Sequence, residues 1–434
     1  MRFSRDVAAT FATRAVLVGL GVASSVLTAR YLGPGGRGVL VTVTALAGIG
    51  LQLGNLGLHA SNTYQVSRRS DLLATVWANS LRTASWVGVG LTILTLCAAV
   101  LFPRILGEIP LPLLLPVAMS IPFQLLLLFG LNLLVGLGRV PLFNVMELIF
   151  RGAGVAGLFL ALVVLGGDVR WVLILNLLVA VGGAVAVARI LSGEIRRTGV
   201  REGRTSMALF RAGVGYGARA YVAALLAYLI VRSDMLMVNT LRGTPEAGVY
   251  SIAVQIADLL YLLPMSIGLV LFPRLTRHEE GDPVFALKVA RHTAFLMLLL
   301  CGAAAVLARP AIELLYGAGF LPAVRALWWL LPGIWAYGVC NQLATHLASS
   351  GMPLAAVLVW APPLVINVAL NLMWIPRWGI QGAAASSSVC YLLVLALHLL
   401  LLSRRIRGRW WDALLLRRSD IREAGISAGF QSWS

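Results

Sequence analysis

The stretch "LLAYLIVRSDMLMVNTLRG" (residues 225–243) reads as a membrane helix until its middle, where Arg232, Ser233 and Asp234 interrupt a run of leucine, valine and methionine. A helix of about 20 apolar residues crosses a hydrocarbon core about 30 Å thick, so the stretch has the right length. The rest of the chain is of the same kind. Of 434 residues 59% are hydrophobic and only 12% charged, and the mean hydropathy is +0.88. A soluble protein of this length has nowhere to hide that much apolar surface. Repeated long apolar stretches point to an all-α polytopic membrane protein, whereas a transmembrane barrel would show short alternating segments.

Twelve transmembrane spans are expected, near 10–31, 38–60, 83–102, 112–136, 142–165, 169–191, 214–239, 247–272, 289–308, 324–348, 354–375 and 381–403. The formal net charge of +18 would suggest nucleic acid in a soluble protein. Here the cations fall mostly in short connections between spans, which is the pattern that sets membrane orientation, so no nucleic-acid partner is expected. With the N-terminus cytoplasmic, the inner connections collect Arg68, Arg69, Arg82, Arg139, Arg196, Arg197, Arg201, Arg204, Arg274, Arg277, Lys288 and Arg291, and Arg404, Arg405, Arg407 and Arg409 follow the last span. Both termini are therefore expected in the cytoplasm. Lys288 is the sole lysine. Cys97, Cys301, Cys340 and Cys390 lie inside apolar stretches without metal-ligand spacing and read as small hydrophobes. The chain opens with Arg2, Arg5 and Arg14, no small-residue cleavage site follows, and the segment is expected to be a first helix rather than a cleaved signal.

The two halves show a repeat. "CAAVLFPRIL" (97–106) answers to "CGAAAVLARPAIELL" (301–315), "GLGRVPL" (136–142) to "ASSGMPL" (348–354), and Arg14 to Arg219, in the same order and at one spacing. Six spans per half enter the membrane from the same side, so the lobes are expected to be related by a pseudo-two-fold axis along the membrane normal. The organisation that follows is an N-lobe 1–195, a basic cytoplasmic linker 196–212, a C-lobe 213–403 and a cytoplasmic amphipathic tail 404–434, with Trp410 and Trp411 at the inner interface.

Several pieces, taken in order, resemble one family. They are "ARYLGPGGRGVLVTVTALAGIGLQLGNLGL" (29–58), "RSDMLMVNTLRGTPEAGVYSIAVQIADLLYLLPMSIGLVLFPRL" (232–275), "LYGAGFLPAVRALWWLLPG" (315–333), "SSGMPL" (349–354) and "INVALNLMWIPRWGIQGAAASSSVCYL" (366–392). They are similar to the polysaccharide-repeat (Wzx-type) flippases of the multidrug/oligosaccharidyl-lipid/polysaccharide (MOP) exporter superfamily. The resemblance implies a MATE-like V of two six-helix lobes in the bacterial cytoplasmic (inner) membrane. It implies alternating access around a cationic cavity, and export of an oligosaccharide repeat carried on an undecaprenyl-pyrophosphate type lipid for surface polysaccharide biosynthesis. Two departures stand out: Asn55 occupies a position where many relatives carry aspartate, and twelve spans differ from the fourteen of the lipid II branch.

Moving such a headgroup requires fixed cations facing a diphosphate, and arginine suits this because it stays protonated and binds phosphate oxygens as a fork. Between Arg211 and Arg242 no uncharged window is long enough for a clean span, so Arg219, Arg232 or Asp234 lies at membrane depth. A charge there costs at least about 2.5–3.5 kcal/mol and should face a partner or a wet cavity. Arg219 is the first candidate cation, with snorkelling to the inner interface as its plain alternative. Arg14 is its counterpart in the first half. Glu147 and Arg151 lie four apart on one helix face, where an internal ion pair is the simpler reading and a pair opening to phosphate the functional one. Arg232 is a candidate outer-cavity cation and Asp234 a brace to a neighbouring helix, since residues two apart point to different sides. Gln255 with Asp258, Gln52 with Asn55, and Asn341 with Gln342 either hydrogen-bond sugar hydroxyls or tie helices together. Pro116, Pro122, Pro264, Pro332, Pro362 and Pro363 are candidate kinks.

Two other readings compete. A MATE-like cation-coupled small-molecule exporter would favour acidic and aromatic cavity residues, whereas this interior holds more arginines than carboxylates. A membrane glycosyltransferase, polymerase or ligase needs a sizeable outer domain or an acidic outer-loop motif. Here Glu108, Asp168, Glu246 and Glu313 are isolated, and no catalytic dyad, nucleotide loop or metal cluster is seen, so the chain reads as a non-enzyme. No cofactor is expected, and a coupling ion, H+ or Na+, is left open. The expected partners are the lipid-linked glycan, membrane lipids and other polysaccharide-assembly proteins, with the protein itself a monomer. Reporter fusions test the orientation: Ser434 should report cytoplasmic, Gly107 and Gly167 external, and an external Ser434 overturns the assignment.

Overall fold

The protein is described by a computed structural model covering residues 2–101, 103, 109–197, 204–275, 283–349, 354–403 and 413–415. The centre of the basic linker, Glu108, Arg274 as a side chain, and nearly all of the tail lie outside the described residues. Apolar stretches in hydrocarbon must satisfy their own backbone, and helices do so within one segment. The described elements are accordingly α1 (Arg2–Asn55), α2 (Leu58–Arg68), α3 (Leu73–Leu101), α4 (Leu111–Gly136), α5 (Val140–Phe159), α6 (Val169–Arg197), α7 (Met207–Arg242), α8 (Thr244–Leu275), α9 (Pro283–Tyr316), α10 (Ala323–Ser349), α11 (Leu354–Leu358), α12 (Ala361–Trp378) and α13 (Ile380–Ser403). A helix lies on every one of the expected spans.

Ten of the described helices are long and apolar enough to cross a membrane. The difference from twelve has two sources. The first two spans are fused in α1, counted once as Thr13–Asn55. The other is α10, whose 27 residues include Asn341, Gln342 and His346 and are not apolar enough to be counted.

The breaks with positive φ do not fall at most of the candidate prolines. Pro116, Pro122 and Pro332 sit inside continuous helices. Within α1 the helix breaks at Gly33 (φ 62°, ψ −174°), immediately before Pro34. The positive φ suits glycine, and proline's missing N–H cannot continue the ladder. A second break, at Leu56 (φ 50°) and Gly57 (φ 74°), ends the second span at Asn55 rather than near residue 60 and starts α2 on a new axis. Pro362 and Pro363 stand in the first turn of α12, where a proline N–H would be unused, so they separate α11 from α12 rather than bend a helix. A π turn at Leu160–Val164 closes α5.

The chain forms two compact units, Met1–Ser251 with Leu315–Phe320, and Ile252–Leu314 with Leu321–Ser434. In the first, α4 is central: Leu125, Phe129, Leu133 and Leu134 are fully buried against α2, α3, α5 and α6. The second half of α1 crosses the start of α8 backbone to backbone. A Cβ on Gly38 would stand 1.7 Å from the Thr244 carbonyl oxygen, and one on Gly248 would stand 1.9 Å from that of Pro34. In the second unit α10 and α13 cross in the same manner. A Cβ on Gly333 would lie 2.5 Å from Ser388 Cα, and Ser388 Oγ donates to the Trp329 carbonyl (2.5 Å). Helices in lipid gain little from apolar contact with one another, so small residues that admit close approach supply the packing.

Gly248→Ala should therefore force α1 and α8 apart, at a cost of about 1–3 kcal/mol or more. Thermal unfolding of the detergent-purified protein would show a lowered midpoint, with Gly138→Ala, where a Cβ meets open space but φ is +72°, costing only the backbone strain of about 1–2 kcal/mol.

Candidate functional site

The break in α1 is spanned by a buried arginine. Arg37, 3% exposed, donates from Nε to Ser251 Oγ (2.7 Å), from Nη1 to the Ser25 carbonyl (2.6 Å) and Thr28 Oγ1 (2.8 Å), and from Nη2 to Ser25 Oγ (3.0 Å). Its guanidinium lies 5.9 Å from the centre of the Tyr316 ring. Ser25 and Thr28 precede the break and Arg37 follows it, so one cation ties both halves of α1 to α8 and α9. Among the described residues it forms no ion pair; hydroxyls, a carbonyl and a ring carry its charge.

From this anchor α1 and α2 run beside α7 along an antiparallel seam. A Cβ on Gly213 would stand 2.5 Å from Ser61 Oγ, one on Gly217 would stand 3.0 Å from the Gly57 carbonyl, and one on Gly48 would stand 2.2 Å from Tyr228 Oη. Tyr221 Oη donates to the Leu53 carbonyl (3.0 Å). Gly213, Gly217, Tyr221 and Tyr228 recur at helical spacing, so this stripe of α7 faces α1 and α2.

The charges of α7 sort themselves against that stripe. Arg232 lies one turn beyond Tyr228 on the same face and is half-buried. Asp234, turned to another side, is 2% exposed and accepts a hydrogen bond from Tyr250 Oη of α8 (2.5 Å) and from the Met235 N–H (2.7 Å). Arg219 lies two residues from both Gly217 and Tyr221, hence on the face away from the seam, and is exposed with no ion pair among the described residues. Tyr216, 60% exposed and one residue before Gly217, lies on the flank of the seam. Its ring stacks on Tyr64 of α2 (centroids 4.3 Å apart), and the Arg68 guanidinium lies 5.0 Å from the Tyr64 ring centre.

Glu147 does not bond to Arg151. Its Oε1 takes Nη1 of Arg14, from α1, at 3.0 Å, with the Arg14 side chain 51% and the Glu147 side chain 21% exposed. Glu147 Oε2 is buried without a hydrogen-bond partner. Arg151 is exposed and has no ion pair among the described residues. Asn55 is buried at the end of α1 and bonds His59 one turn on (2.9 Å), while Gln52 is half-buried. Gln255 and Asp258 are half-buried on α8 in the second unit. In that unit Asn341 Nδ2 and Gln342 Nε2 both donate to the Pro264 carbonyl (2.9 and 2.8 Å), and Tyr261 Oη donates to Asn341 Oδ1 (2.9 Å). These two amides tie α10 to α8. Among the described residues no cluster of His, Cys, Asp or Glu could hold a metal.

The family model of polysaccharide biosynthesis proteins matches residues 4–279, from α1 to the end of α8. The chain belongs to this family. No curated protein matches it significantly. Among solved structures, it is similar to the lipid II flippase MurJ in an inward closed conformation (TM-score 0.77, 15% identity, 98% of this chain and 93% of that one). It is equally similar to an inward-facing multidrug resistance MATE family transporter of the MOP superfamily (TM-score 0.77, 14% identity, 90% and 94%). A Pyrococcus furiosus MOP transporter, described by the reverse polarity of its binding pocket, follows (TM-score 0.64, 14% identity, 94% and 95%). The polysaccharide biosynthesis family and the MOP fold together bear out the resemblance read from the sequence, and this family member is a multi-pass membrane protein.

Within this family member, sequence reasoning overlooked Arg37, although the stretch containing it was among those carrying the resemblance. The available signal was an arginine between glycines, "GPGGRG" (33–38), inside an otherwise apolar span. It also overlooked Tyr64 and Tyr216, which lie far apart in the chain and meet only through the seam. Arg37→Met should leave the acceptors around it buried and unpaired, at about 1–3 kcal/mol for each one unsatisfied. Arg37→Lys, with a point charge in place of a fork, should recover only part of the loss in detergent melting experiments.

Proposed function

We propose that the protein is a flippase that carries a lipid-linked oligosaccharide, of the undecaprenyl-pyrophosphate type, across the cytoplasmic membrane by alternating access. The observation that carries this reading is Arg219: a cation in the inner half of a membrane-spanning helix, exposed on the face opposite the packing seam, with no carboxylate to neutralise it among the described residues. An arginine held uncompensated at that depth calls for an anionic visitor, since a permanent vacancy costs several kcal/mol. A diphosphate fits the fork geometry of arginine. Membership of a polysaccharide biosynthesis family supports a glycan as the cargo attached to it. The lipid tail stays in the bilayer while Arg219 and Arg14 hold the headgroup. Two six-span lobes, cytoplasmic termini, a bacterial inner-membrane location and a non-catalytic role belong to this same proposal.

The second reading is a cation-coupled small-molecule exporter, favoured by the equal similarity to a MATE family transporter. The two diverge when the protein is removed from its host. The flippase reading expects lipid-linked repeat units to accumulate on the inner leaflet and surface polysaccharide to disappear. Normal polysaccharide with altered drug sensitivity would favour the exporter. In complementation of the deletion, Arg219→Ala should abolish polysaccharide export while the protein still inserts, and Arg219→Lys should rescue it partly. Full complementation by Arg219→Ala would remove that residue from the site.

A further inference from the structure

Glu147 has two cations within its reach and uses one. It lies about 10 Å along α5 from the helix start at Val140, well inside the span Val140–Val164. A carboxylate four residues before an arginine is the favourable order for an ion pair within one helix. Arg151 stands in that position, yet Glu147 reaches across to Arg14 instead, at 3.0 Å. Only half of the carboxylate is satisfied, because Oε2 is buried with no partner. Arg14 in turn is half-exposed, so one side of its guanidinium is engaged and the other is open.

We propose that Glu147 is an internal stand-in for the phosphate of the substrate: it holds Arg14 while the site is empty and passes to Arg151 when a diphosphate takes Arg14. The inference rests on the reading of Arg14 as a substrate cation. A diphosphate carries more charge than a carboxylate and engages the guanidinium as a fork, so it outcompetes a single 3.0 Å contact. A displaced carboxylate left alone at membrane depth would be costly, and the neighbouring Arg151 removes that cost. The exchange strands no carboxylate: Glu147 pairs with Arg14 before, and with Arg151 once the anion has taken Arg14. It also has a mechanical result. Arg14 belongs to α1 and Glu147 to α5, two helices packed side by side. Occupancy therefore cuts a tie between them that emptiness restores.

Calorimetric titration of the detergent-purified full-length protein with farnesyl diphosphate tests this. Glu147→Gln removes the internal competitor and should bind the probe about fivefold tighter, the magnitude expected from releasing a half-exposed ion pair. Arg151→Ala should bind more weakly in the native background, because Glu147 loses its refuge, and should have no further effect once Glu147→Gln is present. A residue that merely stabilises the fold would not tighten binding when removed. Binding by Glu147→Gln no tighter than native overturns the handover, as does an equal weakening by Arg151→Ala in both backgrounds, which would make Arg151 a direct ligand. Binding unchanged by Arg14→Ala would instead remove Arg14 from the diphosphate site and the handover with it. No binding by the native protein would overturn the flippase reading itself.

Discussion

A single buried guanidinium sets the geometry of the first unit. A helix crossing hydrocarbon cannot break without something to hold the severed ends in place, since no water is there to do so. Arg37 reaches back over Gly33 and Pro34 to Ser25 and Thr28 and sideways to Ser251. Its charge is spread over neutral acceptors and a tyrosine face instead of being cancelled by a carboxylate. The direction of the second half of α1 follows from that tie. So does its backbone contact with α8 at Gly38 and Gly248, and beyond it the course of α2 and the seam with α7.

The same economy governs the other charges. Four carboxylates of the described helices are engaged in structural contacts: Asp234 with Tyr250, Glu194 with Arg139 and Arg197, Glu246 with Arg242, and Glu147 with Arg14. Several arginines are not so engaged, Arg151 and Arg219 among them, and Arg14 only partly. These acids brace helices while some arginines of the spans stay without an ion pair among the described residues, so the local balance of charge is positive.

The helices were legible because apolar runs of membrane length are a local signal, and every expected span carries a helix. The breaks were less so. Prolines drew attention to Pro116 and Pro122, which continuous helix accommodates, while the decisive conformation belongs to glycine: a positive φ at Gly33 and Gly57 leaves no trace in hydropathy. The relations among charges were readable only in part. Spacing put Arg232 and Asp234 on different sides of the helix, and of the two Asp234 is buried against Tyr250. Spacing also offered Arg151 to Glu147, but the partner came from a helix more than a hundred residues away, as the contact between α1 and α5 dictates. Periodicity reports faces. It is silent about what each face meets.

The seam between α7 and the pair α1–α2 bears on how the protein is made. Its glycines bring the helices so close that Gly57 and Gly217 meet backbone to backbone, while Gly48 and Gly213 receive side chains of the facing helix. During synthesis the ribosome delivers α1 to α6, then the basic linker, and only then α7. Until that helix arrives, a groove floored by Gly48, Gly57 and the Leu53 carbonyl stands open to lipid. The nascent first unit is thus unfinished when α1 to α6 are in the bilayer, and α7 must be threaded in as its keystone.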